Sequence, residues 1–253
     1  MLHRHGRIGR WATDGQRRSA RVWLIDLDNT LHDASWRLMG EINRRMTRFV
    51  ADRLCLPLEE ASALRTAYWH RYGATLLGLI RHHGVAAEDF LAQTHPGSDL
   101  LQYVAQAPGL RRKVQLLRGE RWLVTNAPRD YTERLLKILG IAHCFHRQIC
   151  IDDMHAVSQL RPKPSPILWR RLIRASGRRA SDLCLIDDSA INLRTAHRAG
   201  ISTARLWASA SQRKVAWAHG RPVSAVRPLY VRVQVNSWPS LIRRVGFRPQ
   251  GRP

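Results

Sequence analysis

No stretch of the sequence is long and apolar enough to cross a membrane. The first ten residues carry charge but no apolar segment follows them, which argues against a secretory signal. Cysteine is scarce. Cys55, Cys144, Cys150 and Cys184 stand far apart without CxxC spacing, as suits reduced, buried thiols of a cytoplasmic protein. Lysine occurs only at 113, 137, 163 and 214, so nearly all of the 42 basic residues are arginine. Acidic residues are absent from 189–253, which hold twelve Lys/Arg, and residues 1–21 hold six Arg against Asp14 alone. The formal net charge of +23 therefore lies mostly toward the two ends. An arginine-rich composition accounts for this without function; attraction of an anionic ligand, nucleic acid or membrane surface is the functional alternative.

What remains is ordinary globular composition: 253 residues, 44% hydrophobic and 24% charged. Wholesale disorder, collagen and a coiled coil are excluded, and the length suits a core domain with a smaller insert.

Residues 1–20, rich in Arg, Gly and Ser, are expected to be a basic, mobile leader. Arg21–Ile25 reads as a buried parallel strand. From Trp36 to Leu117 apolar residues recur at helical spacing, among them Ile42, Met46, Phe49, Val50 and Leu54. Further helices are expected near 58–72, 74–83, 86–94 and 98–107, punctuated by Gly84, His95-Pro96-Gly97 and Pro108-Gly109. Strands and helices then alternate. Strands are expected at 121–124, 144–150, 183–186, 201–206 and 230–235, with helices at 129–139, 164–176, 190–199 and 237–245. This order predicts an α/β fold with a doubly wound parallel sheet. The core would comprise 21–35 and 118–246, with an α-helical cap at 36–117 inserted after the first strand and a tail at 247–253. Residues 208–226 read as a polar surface loop.

The strongest chemical signal is Asp26-Leu27-Asp28-Asn29-Thr30-Leu31, directly after the first strand. Two Asp at i and i+2 project to one side of an extended chain, and a cation is expected between them. One carboxylate can attack phosphorus, and the other can protonate a leaving oxygen and later deprotonate water. Alone, the pair is equally an Asp- and Asn-rich turn. Thr125-Asn126 follows the second strand, where a hydroxyl and an amide can hold phosphoryl oxygens. Lys163, flanked by Pro162 and Pro164, can neutralise phosphate and the crowded carboxylates. Asp187-Asp188, at a third strand end, adds hard oxygen ligands for Mg²⁺.

In type, order and strand-end context these four motifs resemble the haloacid dehalogenase (HAD) superfamily of phosphohydrolases, with its Rossmann-like core and inserted cap. The resemblance spans residues 22–206. It implies that Asp26 is the nucleophile and a Mg²⁺ ligand, and that Asp28 is the acid/base, its main-chain carbonyl also ligating the metal. It further implies that Thr125 and the Asn126 backbone bind phosphate, that Lys163 stabilises its charge, and that Asp188 is a metal ligand. Asp187, where the family often has Gly, would ligate directly or behind Asp188. An acid at Asp28 favours phosphate-ester hydrolysis over dehalogenation, because halide leaves without a proton.

The stretches Leu27–Ser35, Thr125–Pro128, Ile151–Met154 and Arg161–Pro164 are similar to the pyrimidine 5'-nucleotidase branch. The expected substrate is therefore a small phosphate ester, a pyrimidine nucleoside monophosphate. Alternatives are small phosphorylated sugars or acids, or a nucleic-acid-binding protein on the same scaffold, which the intact catalytic set opposes. Tyr68, Trp69, Tyr72 and Phe90 could stack a base or simply form cap core. His32, Asp33 and Ser35 could line the entrance or only shape a turn. His70, His82 and His83 are read as surface or packing residues, and Asp152-Asp153 as a loop or sheet-edge feature. Trp207, Trp217 and Trp238 are expected to cover the sheet edge and anchor the final segment.

Overall fold

The computed structural model describes residues 21–34, 38–95, 104, 108–156, 158–206 and 227–245. The expected leader, the 208–226 loop, the tail, Trp207, Trp217 and all but residue 104 of the 98–107 helix lie outside them. No described helix is long and apolar enough to cross a membrane.

The chain opens with strand β1 (Val22–Ile25) and continues into four helices: α1 (Leu38–Leu54), α2 (Leu58–Tyr72), α3 (Thr75–His83) and α4 (Ala87–Thr94). Helix α5 (Leu110–Gln115) leads to β2 (Glu120–Val124), α6 (Arg129–Ile138) and β3 (Arg147–Ile149). A small hairpin follows, β4 (His155–Ala156) with β5 (Gln159–Leu160). Then come α7 (Pro166–Ser176), β6 (Leu183–Asp187), α8 (Ala190–Arg198), β7 (Ser202–Leu206), β8 (Val233–Val235) and α9 (Trp238–Val245).

Six of the strands form one parallel sheet in the order β3-β2-β1-β6-β7-β8. All four residues of β1 are buried because both sheet faces are covered. Alternation divides them between two cores. Trp23 and Ile25 join one cluster with Leu123, Ile186 and residues of α1, α5, α6 and α9. Val22 and Leu24 join another with Val124, Leu185 and residues of α7 and α8. The doubly wound α/β core is thus as the sequence implies.

Helices α1 to α4 bury a third cluster of their own around Val50, Leu79 and Phe90, which also takes in Ile151 after β3. This helical insert touches the core at a second point. Gly73, the left-handed C-cap of α2 at φ 82°, lies so close to Pro164 that a Cβ there would overlap the proline ring. Only glycine meets both demands.

Four points differ from expectation, the first being that β8 keeps only Val233–Val235 of the strand expected at 230–235, Tyr230 lying in a turn. Strand β3 is shorter than 144–150, because Ala142–Cys144 form a 3₁₀ turn. Helix α7 starts at Pro166 with Ser165 as its N-cap, the Ile167 amide donating to Ser165 Oγ at 3.3 Å, and not at Pro164. The β4–β5 hairpin has no counterpart in the sequence reading.

Candidate active site

The chain crosses to the other side of the sheet between β1 and β6, the place where open α/β sheets hold ligands. Ile25 pairs with Ile186, so Asp26 and Asp187 leave the sheet side by side, and the Asp26 amide donates to the Ile186 carbonyl at 3.0 Å. Lys163 reaches between them from the loop before α7. Its Nζ donates to Asp26 Oδ1 at 2.5 Å and to Asp187 Oδ2 at 3.0 Å. All three side chains are buried.

The Asp26 loop turns at once. The Leu31 amide donates to the Leu27 carbonyl at 2.9 Å, and Asn29 takes a left-handed conformation at φ 61°. Thr30 Oγ1 donates to Asp26 Oδ2 at 3.2 Å, while the Thr30 carbonyl accepts from Trp238 Nε1 at 2.9 Å. Trp238 therefore does more than cover the sheet edge: it ties α9 to the loop that aims Asp26.

Asp28 opens the turn that follows Leu27, pairing with His32 as a short bridge. Asp28 Oδ1 accepts from His32 Nε2 at 3.0 Å and from Tyr131 Oη at 3.0 Å. Burial raises a carboxyl, but these two donors prevail and hold Asp28 below its ordinary range. Tyr131 is pushed well above its usual value by burial and the adjacent Asp28 charge. His95, at the end of α4, sits edge-on to Tyr131 with ring centroids 5.6 Å apart. Burial lowers His95 to about 4 despite the attraction of Asp28.

Thr125 and Asn126 follow β2 as expected, and their side chains have distinct partners. Thr125 Oγ1 accepts from the Ala127 amide at 3.0 Å. Asn126 bonds the Lys163 main chain in both directions: its Nδ2 donates to the Lys163 carbonyl at 2.9 Å, and its Oδ1 accepts from the Lys163 amide at 3.0 Å. The amide side chain of Asn126 positions the lysine.

Asp26, Asp187 and Asp188 offer ligand atoms all within 4.8 Å of one another. Burial, opposed by Lys163 and reinforced by Asp187, pushes Asp26 up to about 7. Burial and the neighbouring Asp187 and Asp26 charges drive Asp188 well above its ordinary range. Three hard oxygen donors facing a single lysine fit a divalent cation such as Mg²⁺. Asp187 is already committed to protein donors: Oδ1 accepts from the Ser189 amide at 2.8 Å, and both oxygens accept from Asn192. Asp188 is the freer ligand. The Asp28 carboxylate is not in the cluster, so any contribution of Asp28 to a metal falls to its main-chain carbonyl.

The remaining candidates separate cleanly. Asp152 Oδ2 accepts from the Arg129 amide at 2.9 Å, and Asp153 Oδ2 accepts from Arg129 Nη2 and the Cys150 amide. The pair fastens the start of α6 and is structural. Phe90 is insert core, 5.2 Å and edge-on from Phe49, and cannot stack a base. Tyr68 and Tyr72 bond His83 and His82, and Trp69 is exposed. Among the described residues no His group gathers as a metal site. Sequence reasoning did not single out Tyr131, His95 or Asn192, and it left His32 undecided. The one signal available was His32 four residues after Asp28 on a turn.

Comparison with known proteins agrees with this geometry. A model of the haloacid dehalogenase-like hydrolase family matches residues 20–200. Over 191 residues the chain is 27% identical to Phosphate metabolism protein 8 of Saccharomyces cerevisiae, a match covering 72% of this chain and 60% of that protein. The chain thus spans about 60% of that relative's length. Among solved structures, a HAD phosphatase from Thermococcus onnurineus has a TM-score of 0.57 at 15% identity, over 90% of this chain and 98% of that one. An L-2-haloacid dehalogenase from Xanthobacter autotrophicus with chloropropionic acid covalently bound has a TM-score of 0.51 at 14% identity, over 90% and 99%. At such identities the two structures speak to the shared fold.

Proposed function

The chain belongs to the haloacid dehalogenase-like hydrolase family, and on that premise we propose that it is a Mg²⁺-dependent phosphomonoesterase of the cytoplasm acting through an aspartyl-phosphate. The observation that carries this reading is Asp28, a carboxyl at the edge of the cluster with one oxygen held by His32 and Tyr131. Expulsion of an alkoxide needs such an acid, and expulsion of a halide does not.

Asp26 attacks phosphorus in line with the leaving oxygen, forming the aspartyl-phosphate as the ester bond breaks. Asp28, ionised in the free site, takes up a proton as the negatively charged phosphate ester binds beside it and gives that proton to the leaving oxygen. It then takes a proton from the water that attacks phosphorus, and Asp26 is released as carboxylate with inorganic phosphate. Lys163 opposes the protonation that burial favours at Asp26 and meets the charge of the phosphoryl oxygens. Thr125 and the Asn126 main chain receive those oxygens, and the Asn126 side chain holds the lysine in place. Asp26, Asp188, the Asp28 carbonyl and, directly or from behind, Asp187 would hold the cation. When bound, Mg²⁺ supplies charge that offsets repulsion between Asp26 and the phosphate.

The preferred ester is a pyrimidine nucleoside 5'-monophosphate. Support comes from the flanking stretches Leu27–Ser35, Thr125–Pro128, Ile151–Met154 and Arg161–Pro164; the similarity to Phosphate metabolism protein 8 supports a phosphate-bearing substrate and no particular leaving group. The helical insert meets the lysine loop at Gly73 and in this reading serves as the cap that selects the leaving group. Phosphate release from UMP, CMP, dTMP, AMP, GMP, phosphoglycolate and sugar phosphates, with Mg²⁺ and with EDTA, tests the reading. Metal-dependent release led by UMP or CMP is expected. Release from sugar phosphates alone would retain the chemistry and overturn the nucleotide assignment; no release from any ester would overturn both.

A further inference from the structure

Two donors converge on one oxygen of Asp28 from separate parts of the chain. His32 comes from the turn after β1, where Asp28 and His32 also pair as a short bridge. Tyr131 comes from the first turn of α6. Both are fixed: the His32 side chain is 1% exposed, and Tyr131 is embedded in a hydrophobic cluster. The Asp28 side chain keeps 24% of its exposure. Both hydrogen bonds fall on Oδ1 at 3.0 Å, and among the described residues none falls on Oδ2.

A carboxyl oxygen has two lone pairs. On Oδ1 both are taken, so a proton carried by Asp28 sits on Oδ2, the oxygen to which none of the described residues donates. Two rigid donors also restrict rotation of the carboxyl. We infer that His32 and Tyr131 are positioning residues for acid–base catalysis, pinning Oδ1 so that Oδ2 alone exchanges the proton with the leaving oxygen and then with water. This rests on the reading of Asp28 as the acid/base. His32 and Tyr131 keep their own protons throughout. In the first half-reaction the Oδ2 proton passes to the departing alkoxide as the bond from Asp26 to phosphorus forms. In the second, Oδ2 recovers a proton from the attacking water as that bond breaks.

Packing alone also explains a buried tyrosine hydroxyl bonded to a carboxylate, so the test must separate aiming from folding. In the full chain with Mg²⁺, kcat/KM reports the steps through aspartyl-phosphate formation. It should be measured for UMP and glycerol 2-phosphate, which expel alkoxides, and for p-nitrophenyl phosphate, whose phenolate leaves without a proton. Tyr131→Phe and His32→Ala should lose about 10- to 100-fold on the alkyl esters and less than about threefold on p-nitrophenyl phosphate. His32→Gln, which keeps a donor, should recover most of the His32→Ala loss. Equal losses on both ester types, or no loss in Tyr131→Phe, would overturn the inference. Asp28→Asn is the control for the reading beneath it: an Asp28→Asn protein without selective loss on alkyl esters would remove Asp28 as the acid. A selective loss there but in neither positioning variant would overturn the inference alone. Tyr131→Phe deletes only a hydroxyl, so it decides the matter even where His32→Ala does not fold.

Discussion

Asp26→Asn should abolish turnover and, in the absence of metal, make the protein more stable. Burial beside Asp187 holds the Asp26 carboxyl at about 7 in the fold, against about 3.9 in an unfolded chain. A carboxyl raised in this way binds its proton more tightly when folded. The stability it contributes is complete below the unfolded value and is lost as the pH climbs from about 4 to about 7. Three pKa units amount to about 4 kcal/mol as a ceiling. Asparagine is a permanent neutral replacement, but it weakens the hydrogen bond from Lys163, a loss of about 1–2 kcal/mol. The net gain at pH 8 is therefore about 2–3 kcal/mol, which for a chain of this size raises Tm by about 4–12 °C. Calorimetry of both proteins in EDTA at pH 8 and at pH 4 checks this. The Asn variant should lead at pH 8 and lose that lead at pH 4, where Asp26 is protonated in the fold and about half protonated when unfolded, leaving the weakened Lys163 bond as the main difference. An Asp26→Asn protein no more stable than its parent at pH 8 would refute the argument that crowded, buried carboxylates oppose folding here.

Other perturbations probe the supports of the site. Asn126→Ala removes both bonds to the Lys163 main chain and should lower kcat about tenfold or more and cost about 1–3 kcal/mol of stability, read by steady-state kinetics and a melt. Trp238→Phe leaves the buried Thr30 carbonyl without its donor; denaturant unfolding should show a loss of about 1–3 kcal/mol. Millimolar Mg²⁺ should raise the Tm of the parent protein and leave Asp188→Asn nearly unmoved, as followed by differential scanning fluorimetry. Gly73→Ala places a Cβ against Pro164 at positive φ and should cost about 1–3 kcal/mol in stability, with a higher KM on the preferred ester.

Asp26, Thr125, Asp187 and Asp188 were legible because each follows or ends a short apolar run, and parallel strands bring such ends to one crevice, while Lys163 was legible from its scarcity and its flanking prolines. Asp28 was legible in type but not in its partners, which the turn after Leu27 and the start of α6 supply. Tyr131 and His32 were not legible as partners, since Tyr131 lies 103 positions from Asp28 and meets it only through the sheet. Trp238, 208 positions from Thr30, is the same case. The β4–β5 hairpin, with two residues in each strand, is too short to leave a period of alternation. Phe90 was ambiguous because insert core and ligand-facing aromatics have the same spacing, and only its burial against Phe49 decides between them.

The most direct test of the account is intact-protein and peptide mass spectrometry after acid quench of the enzyme turning over UMP with Mg²⁺. The account predicts one phosphoryl group of added mass, located to the peptide containing Asp26, and absent from Asp26→Asn. Rapid phosphate release with no protein-bound phosphoryl group, or a group located on another residue, would contradict it.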